Sequence, residues 1–144
     1  MNTLVLDASV AAKWFLPITN ETLTEEALEL LRRYAAGELR FLVPDLFWPE
    51  LANVFWKAVR QGRWSHSSAE TALRAVRDRN LPTVSALALL DDAFSIALTF
   101  DRSVYDSMYI ATALAAKTHL VTADEKLANA LAAHLPVKWL GTFC

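Results

Sequence analysis

Three short runs rich in apolar and β-branched residues, at 3–6, 40–43 and 119–122, constrain this chain more than any other feature. Each is too short for a helix and reads as a fully buried strand. Between them the apolar spacing changes to three and four residues, the period of an amphipathic helix. Residues 8–16 read as a short helix stopped by Pro17. Thr22-Leu-Thr-Glu25 matches a capping box, followed by Leu23, Ala27, Leu30, Leu31 and Tyr34 at helical spacing, with Gly37 as the stop. Asp45 is placed as the N-cap of a helix over 46–61, with Pro49 tolerated in its first turn and Gly62 after it. Ser67-Ser-Ala-Glu70 matches a second capping box, opening a helix to Arg79. Residues 83–85 form a candidate strand and 87–98 a helix. Ser103 caps a helix reaching Lys117, residues 124–134 form another helix, and 137–140 a last strand. Strands alternating with helices predict a three-layer α/β/α sandwich around a central, mainly parallel sheet. The 144 residues suit one domain spanning 1–144, with no repeat or linker.

Composition narrows the class. Hydrophobic residues are 54% of the chain and charged residues 21%, which excludes a disordered chain. Cys144 is the only cysteine, so neither an internal disulfide nor a cysteine zinc site can form, and a reducing cytoplasm is the expected compartment. The N-terminus lacks a basic signal-peptide region, and the apolar stretch at 81–100 is broken by Pro82, Asp91 and Asp92. The net charge of −2 argues against a nucleic-acid coat protein. It leaves room for an acidic centre beside a separate basic face.

Parallel sheets bind ligands beyond the carboxyl ends of their strands, at a topological switch point. The first strand delivers Asp7 there. The second leads to Asp45 and Glu50. The strand at 119–122 delivers Thr122 and Asp124, and Asp106 lies in the first turn of its helix. Each acid alone has a bland reading. Asp7 and Asp124 suit N-caps, Glu50 suits the positive end of its helix, and Ser103-x-x-Asp106 resembles a capping box. Together on one edge they would repel one another and raise each other's pKa, a penalty that a bound cation removes. Mg²⁺ or Mn²⁺ takes oxygen ligands of this kind, usually one or two carboxylates with water and phosphate, so the chemistry expected is phosphodiester hydrolysis. Asp7 and Asp106 are the expected direct ligands.

The motifs L-V-L-D-A-S-V at 4–10, P-E-L-A-N at 49–53, V-Y-D-S-M-Y-I-A-T-A at 104–113 and L-V-T-A-D-E-K-L at 120–127 carry a resemblance over essentially the whole chain. The sequence resembles the PIN-domain family and, within it, the VapC-type toxins of prokaryotic toxin–antitoxin pairs. The resemblance maps the family's metal-site acids onto Asp7, Glu50, Asp106 and Asp124. Its helper hydroxyl falls on Thr122, and the polar residue one turn after the glutamate on Asn53. It implies a Mg²⁺- or Mn²⁺-dependent endoribonuclease that cuts RNA, forms a homodimer and is inhibited by a cognate antitoxin. The alternative is a catalytically silent PIN-like module that binds RNA or a protein partner.

Other residues carry two readings each. Lys57, Arg60, Arg63, Arg74, Arg77 and Arg79, opposed only by Glu70 and Asp78, form either an RNA-backbone surface or two solvated helix faces. Trp48, Trp56 and Trp64 read as packing residues, with base stacking open to Trp56. Ser9 either supports a metal-bound water or phosphate, or bonds its own first helical turn. The apolar stripe of the 22–36 helix is core, a dimer face or an antitoxin face. His66, His119 and His134 fit no ligand spacing. A receiver-type phosphoacceptor needs an acidic pair by its first strand, which Asn2 and Thr3 do not supply. A haloacid-type phosphatase resembles D-x-D, where this chain has Asp7-Ala-Ser9. An adhesion-type metal site, D-x-S-x-S, fails at Ala11.

Overall fold

The computed structural model describes residues 2–142, so Cys144 lies outside the described residues. The chain runs β1 (Asn2–Leu6), α1 (Ala8–Ala12), α2 (Thr24–Ala35), β2 (Leu39–Pro44), α3 (Phe47–Arg60), α4 (His66–Arg77), β3 (Thr83–Val84), α5 (Ala86–Phe100), α6 (Val104–Ala115), β4 (Leu120–Thr122), α7 (Glu125–Leu131) and β5 (Val137–Trp139), with short 3₁₀ turns at Ile18–Asn20 and Leu140–Thr142. The element order is the one expected. The five strands form a sheet in the order β3-β2-β1-β4-β5, and every pairing is parallel. Val5 of the central strand faces Leu42 on one side and Leu120 on the other.

Central strands covered on both faces must be apolar throughout, and Leu4, Val5, Leu6, Leu120 and Val121 are all buried. The chain steps from β1 outward to β2 and β3, then returns across the sheet to β4 and β5. Right-handed crossovers therefore put α1–α4 on one face and α5–α7 on the other. The reversal leaves a crevice between the carboxyl ends of β1 and β4. Helix α6 packs on β1 and β2, and α5 lies against α6.

Several local expectations need correction. Helix α1 ends at Ala12, four residues earlier than the Pro17 stop requires. The Thr22 capping box does not form. Helix α2 starts at Thr24 behind Leu23, which takes a left-handed conformation and provides no side-chain cap. Ser65, two residues before the expected Ser67, caps α4 by accepting from Ser68 N–H at 3.1 Å. Asp45 does not cap α3. Its Oδ2 instead accepts the N–H of Ala86 at 3.0 Å and holds the start of α5. Gly37 and Gly62 do end α2 and α3, with φ of 79° and 74°, a conformation that favours glycine. The α2 stripe is core, since Leu30 is buried and Leu23 and Tyr34 pack against it. Among the described residues, no helix is long and apolar enough to cross a membrane.

Candidate active site

Two residues come to the crevice directly from the sheet. Asp7 follows β1 and caps α1, its Oδ1 accepting Ser9 N–H at 3.3 Å. Thr122 ends β4, fully buried, and donates its hydroxyl to Asp7 Oδ2 at 2.8 Å. The same hydroxyl oxygen accepts Asp124 N–H at 3.1 Å, so one threonine ties the two strand ends together. Asp124 caps α7, its Oδ1 accepting Leu127 N–H at 3.0 Å. Ser9 reaches across the crevice, its Oγ accepting Ala123 N–H at 3.3 Å. Its hydroxyl therefore joins α1 to the β4 end.

Glu50 and Asp106 arrive from helix starts. Both sit in a first helical turn, where the helix dipole favours a carboxylate. Asp106 N–H donates to Ser103 Oγ at 3.0 Å, the cap expected from sequence. Glu50 Oε1 accepts the hydroxyl of Tyr109 at 2.6 Å. Asp7, Ser9, Glu50, Asn53 and Lys57 share an open cleft of about 430 Å³, with exposed Tyr105 on its rim.

The acids sense one another. Burial pushes the Asp7 carboxyl from 3.8 up to about 6. Thr122 and Ser9 N–H oppose that rise, and the charges of Glu50 and Asp106 add to it. Glu50 is raised by burial and by Asp106, against the hydrogen bond from Tyr109. Asp106 is raised by burial and then by Asp124, and is lowered by Ser103 and the Arg102 charge. A chain of mutual repulsion thus links all four carboxylates, and the Arg102 charge opposes it at Asp106. The N-cap roles foreseen for Asp7 and Asp124 are real, and they hold both carboxylates at the switch point.

Among the described residues, no three acidic, histidine or cysteine side chains converge tightly enough to enclose an ion. The donor set is all oxygen. Glu50 and Asp124 each have one oxygen committed to a protein donor, and Asp7 has both, from Ser9 N–H and the Thr122 hydroxyl, each oxygen keeping a further lone pair. Such a set fits a hydrated Mg²⁺ or Mn²⁺ held by one or two carboxylates and water, rather than a protein cage.

The basic segment divides. Lys57 lies on Glu50's face of α3 and lines the cleft. Arg60 sits over the ring of Trp56, 5.3 Å from its centroid, and Arg63 bonds Gln61 at 2.9 Å. Trp48 and Trp64 pack against the core, as expected, while Trp56 is half exposed. Sequence reasoning missed Tyr109 and Arg102. A tyrosine one turn after Asp106, on a buried helix, was the available signal, since a buried phenol needs a polar partner.

A parallel sandwich with acids gathered at its switch point defines the class, and the chain belongs to the PIN-domain family, whose model matches residues 4–131. Among individual proteins, it is 34% identical over 128 residues to Ribonuclease VapC3 of Pyrobaculum aerophilum, covering 88% of this chain and 92% of that one. The fold is similar to a crystal structure of PAE2754 from Pyrobaculum aerophilum, with a TM-score of 0.69, 22% identity and coverage of 99% and 94%. It is also similar to a chain of a toxin-antitoxin complex from Klebsiella pneumoniae, with a TM-score of 0.61, 15% identity and coverage of 94% and 95%.

Proposed function

We propose that this chain is a Mg²⁺- or Mn²⁺-dependent endoribonuclease, the toxin of a toxin–antitoxin pair. The observation that supports the reading is the electrostatic linkage of Asp7, Glu50, Asp106 and Asp124, which come from four separate chain segments. Membership of the PIN-domain family and the likeness to a named ribonuclease support it. Asp7 and Asp106 act as direct ligands, with Glu50 and Asp124 completing the site directly or through water. A bound cation would supply a water of lowered pKa and stabilise the leaving oxygen. Thr122 orients Asp7 and braces Asp124, Asn53 extends the polar cleft wall one turn beyond Glu50, and Ser9 holds the β4 end. Lys57 on the cleft wall meets a substrate phosphate, with Arg60 and Arg63 further along the RNA backbone.

An antitoxin partner follows by analogy with the toxin-antitoxin complex that shares the fold. The homodimer has support on α5. Its inner face packs on α6, while Leu87, Phe94 and Leu98 on the outer face are 81%, 54% and 70% exposed. A helix apolar on both faces is ordinarily covered on both.

The test is cleavage of an end-labelled RNA pool with Mg²⁺, with EDTA, and by the Asp7→Asn variant. Cutting by wild type with metal alone is the expected result. Folded protein that cuts under none of these conditions points to the silent binding module, and cutting by Asp7→Asn overturns the assigned centre.

A further inference from the structure

Tyr109 is only 2% exposed, yet its hydroxyl reaches the acidic crevice. Three elements meet at this phenol. It belongs to α6, one turn after Asp106. Its proton goes to Glu50 Oε1 on α3, at 2.6 Å. Its oxygen interacts with the backbone N–H of Ala8, the residue after Asp7. A phenol has one proton to give. A carboxylate has none, so the bond runs from the phenol to Glu50.

We propose that Tyr109 is the positioning residue of the centre, fixing the Glu50 carboxylate so that Oε2 remains for the cation or its water. The inference rests on the metal-site reading given above and adds a residue to it. Glu50 is only partly buried, and without this bond its side chain is free to change rotamer. With it, Glu50 on α3 is tied to the helix that carries Asp106 and to the turn that carries Asp7. Burial and the charges of Asp7 and Glu50 push the phenol pKa upward, so the hydroxyl stays a donor. Tyr109 touches neither metal nor substrate in this scheme. It acts through Glu50.

The test measures Mn²⁺ affinity in Tyr109→Phe, in Glu50→Gln and in the double variant, with thermal melts of each metal-free protein as a control for folding. Loss of a partner that orients a ligand weakens metal binding about 10–100-fold, and a weakening of that order is expected for Tyr109→Phe. In the Glu50→Gln background the tyrosine substitution should add nothing, which a merely structural role would not produce. Because Tyr109→Phe could unfold the site, 3-fluorotyrosine at position 109 gives a second readout that keeps the hydroxyl. Its ¹⁹F resonance should shift on adding Mg²⁺ to the wild-type background and stay put with Glu50→Gln. Mn²⁺ affinity within twofold of wild type in a folded Tyr109→Phe protein overturns the inference and leaves the metal centre standing. Multiplicative effects in the double variant overturn it too. Absence of Mn²⁺ binding by wild type overturns the metal centre, and this inference with it.

Discussion

Replacing Asp7 by Asn should stabilise the metal-free protein. Burial lifts the Asp7 carboxyl from 3.8 to about 6, so at neutral pH the fold holds a charge its surroundings disfavour. That gap corresponds to roughly 3 kcal/mol at about 1.36 kcal/mol per decade. Asn removes the charge but places an amide N–H₂ where one oxygen stood. Thr122 Oγ already accepts Asp124 N–H, and its proton now goes to Asp7. Rearranging that contact removes about 1 kcal/mol of the gain. The net is about 2 kcal/mol, or about 4–8 °C in melting temperature for a domain of this size. The sign with pH follows from a raised carboxyl pKa. The stability linked to Asp7 is fully present below 3.8 and is lost as pH rises through about 6. Metal-free wild type should therefore gain stability between neutral pH and pH 5 more steeply than the variant. Thermal melts in EDTA across that range measure both effects. Repeating them in Mg²⁺ should reverse the advantage, because a bound cation would stabilise wild type by mass action and the variant much less. A variant less stable than wild type in EDTA at neutral pH, or equal Mg²⁺ shifts in both, would refute the argument that Asp7 is a strained acid awaiting a cation.

Three further substitutions test the fold and the proposed dimer. Asp45→Ala removes the side-chain acceptor of Ala86 N–H and should lower stability by about 1 kcal/mol. Thr22→Ala, in the box that does not form, should stay within about 0.5 kcal/mol, and chemical denaturation compares the two. Phe94→Asp on the outer face of α5 should convert a dimer to a monomer by light scattering at micromolar concentration, and a wild-type monomer there removes the surface assignment.

The four acids were legible because each follows a strand end or a helix start, and those positions are marked by periodicity and caps. Tyr109 was marked only by its place one turn after Asp106. On α6 it sits in an unbroken buried run from Ser107 to Ala113, where a tyrosine reads as one more core residue. The caps divide in the same way. Ser103 and Asp124 act where expected. Around Thr22 and Ser67 several hydroxyl residues compete, and the choice fell elsewhere or on none of them.

By itself, the sequence determined the order of strands and helices, because side-chain period is a local property that burial enforces segment by segment. It also placed the acids on one edge, because parallel strands share a carboxyl end. Tertiary structure alone decided what each acid touches: Asp7 on Thr122, 115 residues away, and Glu50 on Tyr109, 59 residues away. It also decided that Asp45 holds a helix start 41 residues on, and that α5 keeps an apolar face toward solvent. Those contacts depend on sheet order and helix packing, and no local pattern in the chain encodes the distance between two side chains on different elements.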